Sequence, residues 1–259
     1  MFDTAAYLDR IGYSGPAPPT VTTLRALHHA HLRTVPFENL DIHLGRPIIL
    51  DETLLFAKIV TRRRGGFCYE LNGLFAALLR DLGFRVTMLA ARMPRDDERI
   101  ALEMDHLVLL VRAADDAESW LVDVGAGRDS FSEPLRTTTA AEQPRPASGA
   151  SFRLVPGRDG CQLQRRDQDQ SVWHASYRFT WTPRVLPDFE DGCQFHQTSP
   201  DSNFPRQRLC TLLTPSGRVT LSERRLIETI DGKRTEQELE DETMYLETLR
   251  RRFGIDLAE

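Results

Sequence analysis

The sequence predicts an α+β protein, and three observations carry that reading. Apolar residues recur at helical spacing up to about residue 83, strand-like patterns follow Gly83, and the end of the chain returns to mixed structure. Helices gathered ahead of strands exclude a doubly wound sheet, in which the two alternate. With 259 residues the chain can bury a sizeable core, and its apolar fraction of 41% and charged fraction of 27% exclude wholesale disorder.

The first helices are read at TAAYLDRIG, at VTTLRALHHAHLRTV with Leu24, Leu27 and Leu32 near helical spacing, and at DETLLFAKIVTRR behind the acidic cap Asp51. A Pro- and Gly-bounded connector, PFENLDIHLGRP, separates the second from the third. CYELNGLFAALLRDLG is the clearest helix: Leu71, Leu74, Phe75, Leu78 and Leu82 share one face, and Gly83 suits the left-handed position just past its end. Strands follow at FRVTMLAARM, HLVLLVR and SWLVDVG, then at FRLV, CQLQRR and SVWHASYRFT. Between the two groups, SEPLRTTTAAEQPRPASGA at 132–150 reads as an exposed crossing. RLCTLLT and RVTLS flank PSG as a hairpin, and EQELEDETMYLETLRRRFG reads as one long charged helix with a solvated face. Three units result: helical over 1–83, β over 84–187, α/β over 188–259.

Lys+Arg of 33 against Asp+Glu of 38 gives a net charge of -5, which excludes a nucleic-acid binder held by bulk charge. The start MFDTAAYLDR has no apolar signal region, and the run LVLLV at 107–111 is too short to span a bilayer, so a cytoplasmic protein without a membrane partner is expected. Cys68, Cys161, Cys193 and Cys210 lie far apart without a CxxC pair, so free thiols and no metal site are expected.

RRRGGFCYELN sets a thiol where the clearest helix begins. A helix N-terminus offers unpaired N–H groups and a partial positive charge, both of which favour a thiolate. Arg62, Arg63 and Arg64 add positive potential, and Gly65 and Gly66 permit a tight turn whose amides would face a group bound to sulfur. A nucleophile needs a base, and the base needs an orienting acceptor. Of the histidines, His28, His29 and His31 fall within a helical pattern, His43 in a loop and His174 in a strand. His106 opens the apolar HLVLLV, where an imidazole is costly without a partner, and Asp123 is the matching lone carboxylate in LVDVG. Two neighbouring strands would bring them together. The residues allow two readings: a Cys-His-Asp triad, or a packed thiol, a capping imidazole and a structural carboxylate. Asp105, beside His106, is expected on the opposite, solvent-facing side of the strand.

RGGFCYELN, VPFENLDIHLG, the His106 strand, VDVGAG and SPDSNFPRQRLCTLLTPSGRVTLS resemble, in order and spacing, the arylamine N-acetyltransferases, from YLDRIGY to about residue 222. The resemblance implies a helical bundle, a central β-barrel and a C-terminal α/β lid around a catalytic core like that of transglutaminases and cysteine proteases. It implies that Cys68 takes an acyl group from coenzyme A, with His106 as base and Asp123 as its orienter. Acetyl-CoA or another acyl thioester is then a co-substrate, and no cofactor is permanently bound. The same resemblance makes Arg64 and Glu38 a bracing pair, puts Gly125, Gly127, Arg128 and Ser130 near the coenzyme A phosphates, and gives Phe37, Phe67, Ala126 and Phe204 to the acceptor pocket.

The family carries a phenylalanine between the two glycines after the triad aspartate, where this chain has Ala126. Its absence widens the pocket and removes a stacking face for an aromatic amine. A related branch closes macrolactams by moving a polyketide chain from an acyl carrier protein thioester to its own aryl amine, and a wide cavity suits that reaction. A transglutaminase or cysteine peptidase shares the triad order, and a ligand-binding module without turnover is the non-enzymatic alternative.

Overall fold

Helices begin where the sequence offers an acceptor to first-turn amides. In the computed structural model, which describes residues 2–94, 102–145, 149–167 and 170–257, Asp3 accepts from Ala6 N–H ahead of α1 (Thr4–Arg10) and Thr20 from Thr23 N–H ahead of α2 (Val21–Thr34). The connector PFENLDIHLGRP holds strand β1 (Phe37–Glu38) and the short helix α3 (Leu40–His43), so His43 is helical and not in a loop. Asp51 caps α4 (Glu52–Phe56) through the Thr53 and Leu54 amides, and α4 runs into a π turn at Ala57–Thr61. Then comes α5 (Cys68–Asp81), with Gly83 past its end at φ +88°. Leu71, Leu74, Phe75 and Leu78 are fully buried, each contributing about 1.5–3 kcal/mol by leaving water.

The strands β2 (Arg85–Arg92), β3 (His106–Arg112), β4 (Ser119–Val122), β5 (Leu135–Arg136), β6 (Gln143–Arg145), β7 (Ala150–Pro156), β8 (Gly160–Asp167) and β9 (His174–Arg184) form one antiparallel sheet. Their order is β5-β4-β3-β2-β9-β8-β7-β6. The two edges meet through a side chain: Gln143 Oε1 accepts from Arg136 N–H at 2.9 Å and Gln143 Nε2 donates to Arg136 O at 3.0 Å. The sheet is thereby a nearly closed barrel. Leu107, Leu109 and Val111 of β3 pack toward α5, while Val108 joins Phe152, Leu154, Leu163 and Phe179 inside the barrel. LVLLV is apolar on both faces because both faces are covered.

A second antiparallel sheet has the order β1-β10-β11-β12-β13, with β10 (Leu209–Thr214), β11 (Gly217–Ser222), β12 (Arg225–Ile230) and β13 (Lys233–Glu238). Phe37 pairs with Thr211 and Glu38 with Cys210, so a strand from the N-terminal third completes the C-terminal sheet. Before it stands α6 (Glu190–Thr198), a helix the sequence reading leaves unassigned. After it, α7 (Glu242–Thr248) and a π turn at Leu249–Phe253 cover Cys210, Val219, Leu221 and Leu226.

Two expectations are corrected. The long charged helix at EQELEDETMYLETLRRRFG is a strand to Glu238 and a helix only from Glu242, because Asp231 and Gly232 take positive φ and turn β12 into β13. The crossing at 132–150 is not simply exposed: Leu135 is buried in the barrel and the segment supplies both edge strands, with 146–148 outside the described residues. The four cysteines are buried free thiols, and no helix among the described residues is long and apolar enough to cross a membrane.

Replacing Gln143 with Ala removes both seam hydrogen bonds. Urea denaturation is expected to show a loss of about 1–2 kcal/mol, and an unaltered midpoint would show that the seam does not hold the barrel.

Candidate active site

The segments VPFENL and RRRGGFC run side by side. Phe37 and Gly66 form a parallel bridge, and Glu38 N–H donates to Gly66 O at 2.9 Å. That contact explains the glycines: a Cβ on Gly65 would lie 2.0 Å from Pro36 O, and one on Gly66 would lie 2.8 Å from Glu70 Oε2. The pair is a packing requirement. Phe67 is extended at φ −101° and ψ −171°, its N–H donates to Glu70 Oε2 at 3.0 Å, and Cys68 follows as the first residue of α5 with 3% exposure.

Leu109 of β3 pairs with Val122 of β4, so His106 at the start of one strand and Asp123 just past the other lie at the same end of the sheet. His106 Nε2 lies 2.7 Å from Asp123 Oδ2, while Asp123 Oδ1 accepts from Asn72 Nδ2 at 2.8 Å and from Gly125 N–H at 2.9 Å. The fully buried carboxylate is therefore satisfied on both oxygens. Asn72, one turn after Cys68, also donates to Leu107 O at 2.7 Å and accepts from Val124 N–H at 2.9 Å, clamping α5 to both strand ends. The sequence reading passes over Asn72, although its i, i+4 spacing from the thiol puts both on one helix face. A Cβ on Gly125 would lie 2.7 Å from Cys68 Cα, so the loop after Asp123 must carry glycine there.

Burial works against charge on His106, yet the charge and hydrogen bond of Asp123, with Cys68 adding to them, hold the imidazole well above its ordinary 6.5. Burial would raise Asp123, but His106, Asn72 and the Gly125 N–H bring it below 3.8. Burial also pushes the Cys68 thiol up, against the pull of His106 and of a backbone hydrogen bond from Leu107. A helix start and an arginine run therefore do not ionise this sulfur by themselves. What pull there is toward the anion comes from His106 and the Leu107 backbone.

Beneath α5 lies a buried charge network. Arg64 Nη2 is 2.8 Å from Glu38 Oε1 and 3.1 Å from Asp41 Oδ1, and Lys58 Nζ is 2.8 Å from Asp41 Oδ2 and 2.7 Å from Glu70 Oε1. Glu38 Oε2 accepts from Leu40 N–H at 2.7 Å. Burial opposes the Lys58 charge, but Glu70, Glu38 and Asp41 outweigh it and raise its pKa. Arg62 and Arg63 are exposed, and Arg10 donates to the carbonyls of Ile59, Thr34, Arg63 and Arg64, fixing the turn that leads to the thiol.

The rings of Phe37 and Phe67 stand 6.1 and 5.7 Å from Phe204, and Ala126 is half-buried in the loop whose Gly127, at φ +57°, faces Phe37. In that loop Gly125 N–H is engaged by Asp123, the Ser130 hydroxyl donates to Gly127 O at 2.7 Å, and Arg128 is exposed. Asp105 corrects an expectation. It is buried at 2% exposure, with Oδ1 3.0 Å from His196 Nε2 and Oδ2 accepting from Met93 N–H. Strand alternation does not apply to it because β3 starts only at His106. Among the described residues no group of His, Cys, Asp and Glu could hold a metal ion.

A family model described as N-acetyltransferase matches residues 20–259. The chain is 36% identical to the arylamine N-acetyltransferase of Mycobacterium tuberculosis, over 99% of this chain and 90% of that one. It is 32% identical to the proansamycin X synthase of Amycolatopsis mediterranei, over 95% and 94%. The solved Mycobacterium marinum arylamine N-acetyltransferase in complex with CoA superposes with a TM-score of 0.91 at 37% identity, covering 99% of this chain and 94% of that one.

Substituting Lys58 with Met leaves Asp41 and Glu70 without their shared cation, and guanidinium denaturation at neutral pH is expected to show a loss of about 3–5 kcal/mol. The raised His106 contributes stability that is complete below 6.5 and fades as pH rises through its folded-state pKa; the lowered Asp123 contributes stability that fades as pH falls below 3.8. The stability gap between wild type and Asp123→Asn should therefore be widest between 3.8 and 6.5 and narrow in alkali. A gap independent of pH would dissolve the pairing.

Proposed function

This chain belongs to the arylamine N-acetyltransferase family, and from that membership we propose that it moves an acyl group from a thioester to an amine nitrogen through an acyl-Cys68 intermediate. The single observation that supports this most is a buried Asp123 carboxylate 2.7 Å from His106 Nε2, tied through Asn72 to the helix that begins at Cys68. Because Nε2 faces Asp123, the other ring nitrogen is left for the sulfur.

In the first half-reaction the Cys68 thiolate attacks the thioester carbonyl, the bond to the donor sulfur breaks, and His106 returns a proton to the departing thiol. In the second, the amine attacks acyl-Cys68, the C–S bond breaks, and the amine proton passes through His106 to the freed sulfur. Asp123 holds the imidazole in one orientation and balances its charge. Splitting the transfer in two replaces one slow aminolysis with two easier steps. The CoA in the Mycobacterium marinum relative supports acetyl-CoA as co-substrate, with Gly125, Gly127, Arg128 and Ser130 near its phosphates and Arg128 an exposed cation of that loop. Phe37, Phe67, Ala126 and Phe204 line the acceptor side, and Arg64 with Glu38 braces the catalytic loop.

In this arrangement 1–83 is the bundle that carries the nucleophile, 84–187 the barrel that carries His106 and Asp123, and 188–259 an α/β lid over a transglutaminase-like core of a cytoplasmic enzyme. The acceptor is a small aromatic amine. A second reading, macrolactam closure on an amine-bearing polyketide delivered by an acyl carrier protein, is favoured by Ala126 and by the likeness to a proansamycin X synthase.

Incubation with acetyl-CoA is expected to add one acetyl group to Cys68 by intact-mass spectrometry and none to Cys68→Ala. Asp123→Asn should fold yet transfer about two to four orders of magnitude more slowly. A wild-type protein that stays unmodified by acetyl-CoA but is acylated by a carrier-protein thioester would move the assignment to the amide synthase reading.

A further inference from the structure

A chain of hydrogen bonds beside the thiol takes no part in the steps above. His196 of α6 has Nε2 3.0 Å from Asp105 Oδ1 and 3.2 Å from Asp105 O, and Nδ1 3.1 Å from Ser202 Oγ. Ser202 Oγ in turn accepts from Phe204 N–H at 3.3 Å. His196, Asp105 and Ser202 are 6%, 2% and 1% exposed.

Donor and acceptor roles run in one direction along this chain. The Asp105 carboxylate accepts, so Nε2 carries the proton toward it; in the neutral ring Nδ1 accepts the Ser202 O–H, and the hydroxyl oxygen remains able to accept Phe204 N–H. Ser202 is sealed from solvent with its hydroxyl engaged, so this is no second nucleophile despite the Ser-His-Asp order. On the other side, Phe204 O accepts from Asn39 Nδ2 at 2.9 Å and lies 2.9 Å from His43 Nε2. The peptide groups on both sides of Phe204 are held.

The held ring is the one shared by the aromatic contacts next to the thiol. Phe204 lies 5.1 Å from the His196 ring, 5.7 Å from Phe67 and 6.1 Å from Phe37. Phe67 directly precedes Cys68, and Asp105 directly precedes His106. The anchor Asp105 is thus one residue from His106, and Phe67, against which the Phe204 ring packs, is one residue from Cys68, so a shift in either changes where a flat acceptor sits relative to acyl-Cys68.

We infer that His196 is a positioning residue for the acceptor half-reaction: through Ser202 and Asp105 it fixes the Phe204 ring against which an aryl amine lies as it attacks acyl-Cys68. The inference rests on the acyl-cysteine reading and adds a residue that sets the preference for aromatic over small acceptors.

The test compares wild type, His196→Ala, His196→Gln and Ser202→Ala with acetyl-CoA as donor, using aniline and hydrazine as acceptors. In His196→Ala the KM for aniline is expected to rise about tenfold, while that for hydrazine, which has no ring, moves less than about threefold. His196→Gln, which can still donate to Asp105, should recover part of the loss. Ser202→Ala breaks the same chain without removing a ring, so it carries the comparison if His196→Ala does not fold. An aniline KM equal to that of wild type, or equal losses with both acceptors, overturns the assignment. Absence of acetyl on wild-type Cys68 overturns the acyl-enzyme reading instead, and the inference with it.

Discussion

A carboxylate with no exposure to water has to find all its partners inside the protein, and Asp123 is that carboxylate. Its two oxygens are answered by one imidazole, one side-chain amide and one backbone N–H, each from a different stretch of chain. Meeting that requirement fixes the end of β4 against the start of β3 and both against the first turn of α5. The thiol is carried into place by the same clamp, because Asn72 is bonded to Asp123, Leu107 and Val124 at once.

The rest of the molecule bears the cost of holding charge in so dry a place. Two cations and three carboxylates form a second buried cluster under the thiol-bearing turn, and its members come from α3, α5, β1, the π turn and the arginine run. Such pairs add little net stability over apolar packing, but they are unforgiving of a shifted neighbour, so they specify one arrangement of the segments around Cys68. Close contact does the same where atoms leave no room for a Cβ, at Gly65, Gly66 and Gly125. The barrel contributes a stiff end on which His106 and Asp123 stand, covered on its outer face by α5.

The parts legible in the sequence were those governed by local rules. Apolar spacing and a following glycine mark α5 and its end, short apolar runs mark β3 and β4, and two polar residues at the mouths of those runs mark His106 and Asp123. The hidden parts depend on partners distant in the chain. No local pattern marks Lys58 as buried beside Asp41 and Glu70, and Asp105 reads as solvent-facing until His196 closes over it from residues much further on. The Asp231-Gly232 pair that turns β12 into β13 is a hairpin signal that the reading of one long helix does not use.

The claim on which the account turns is that a buried carboxylate keeps the imidazole beside Cys68 protonated, so that sulfur can ionise against it. The most direct measurement is an NMR titration of the His106 ring in the resting protein. The account predicts that the ring holds its proton well above the ordinary 6.5. A ring that releases its proton at or below that value would contradict it.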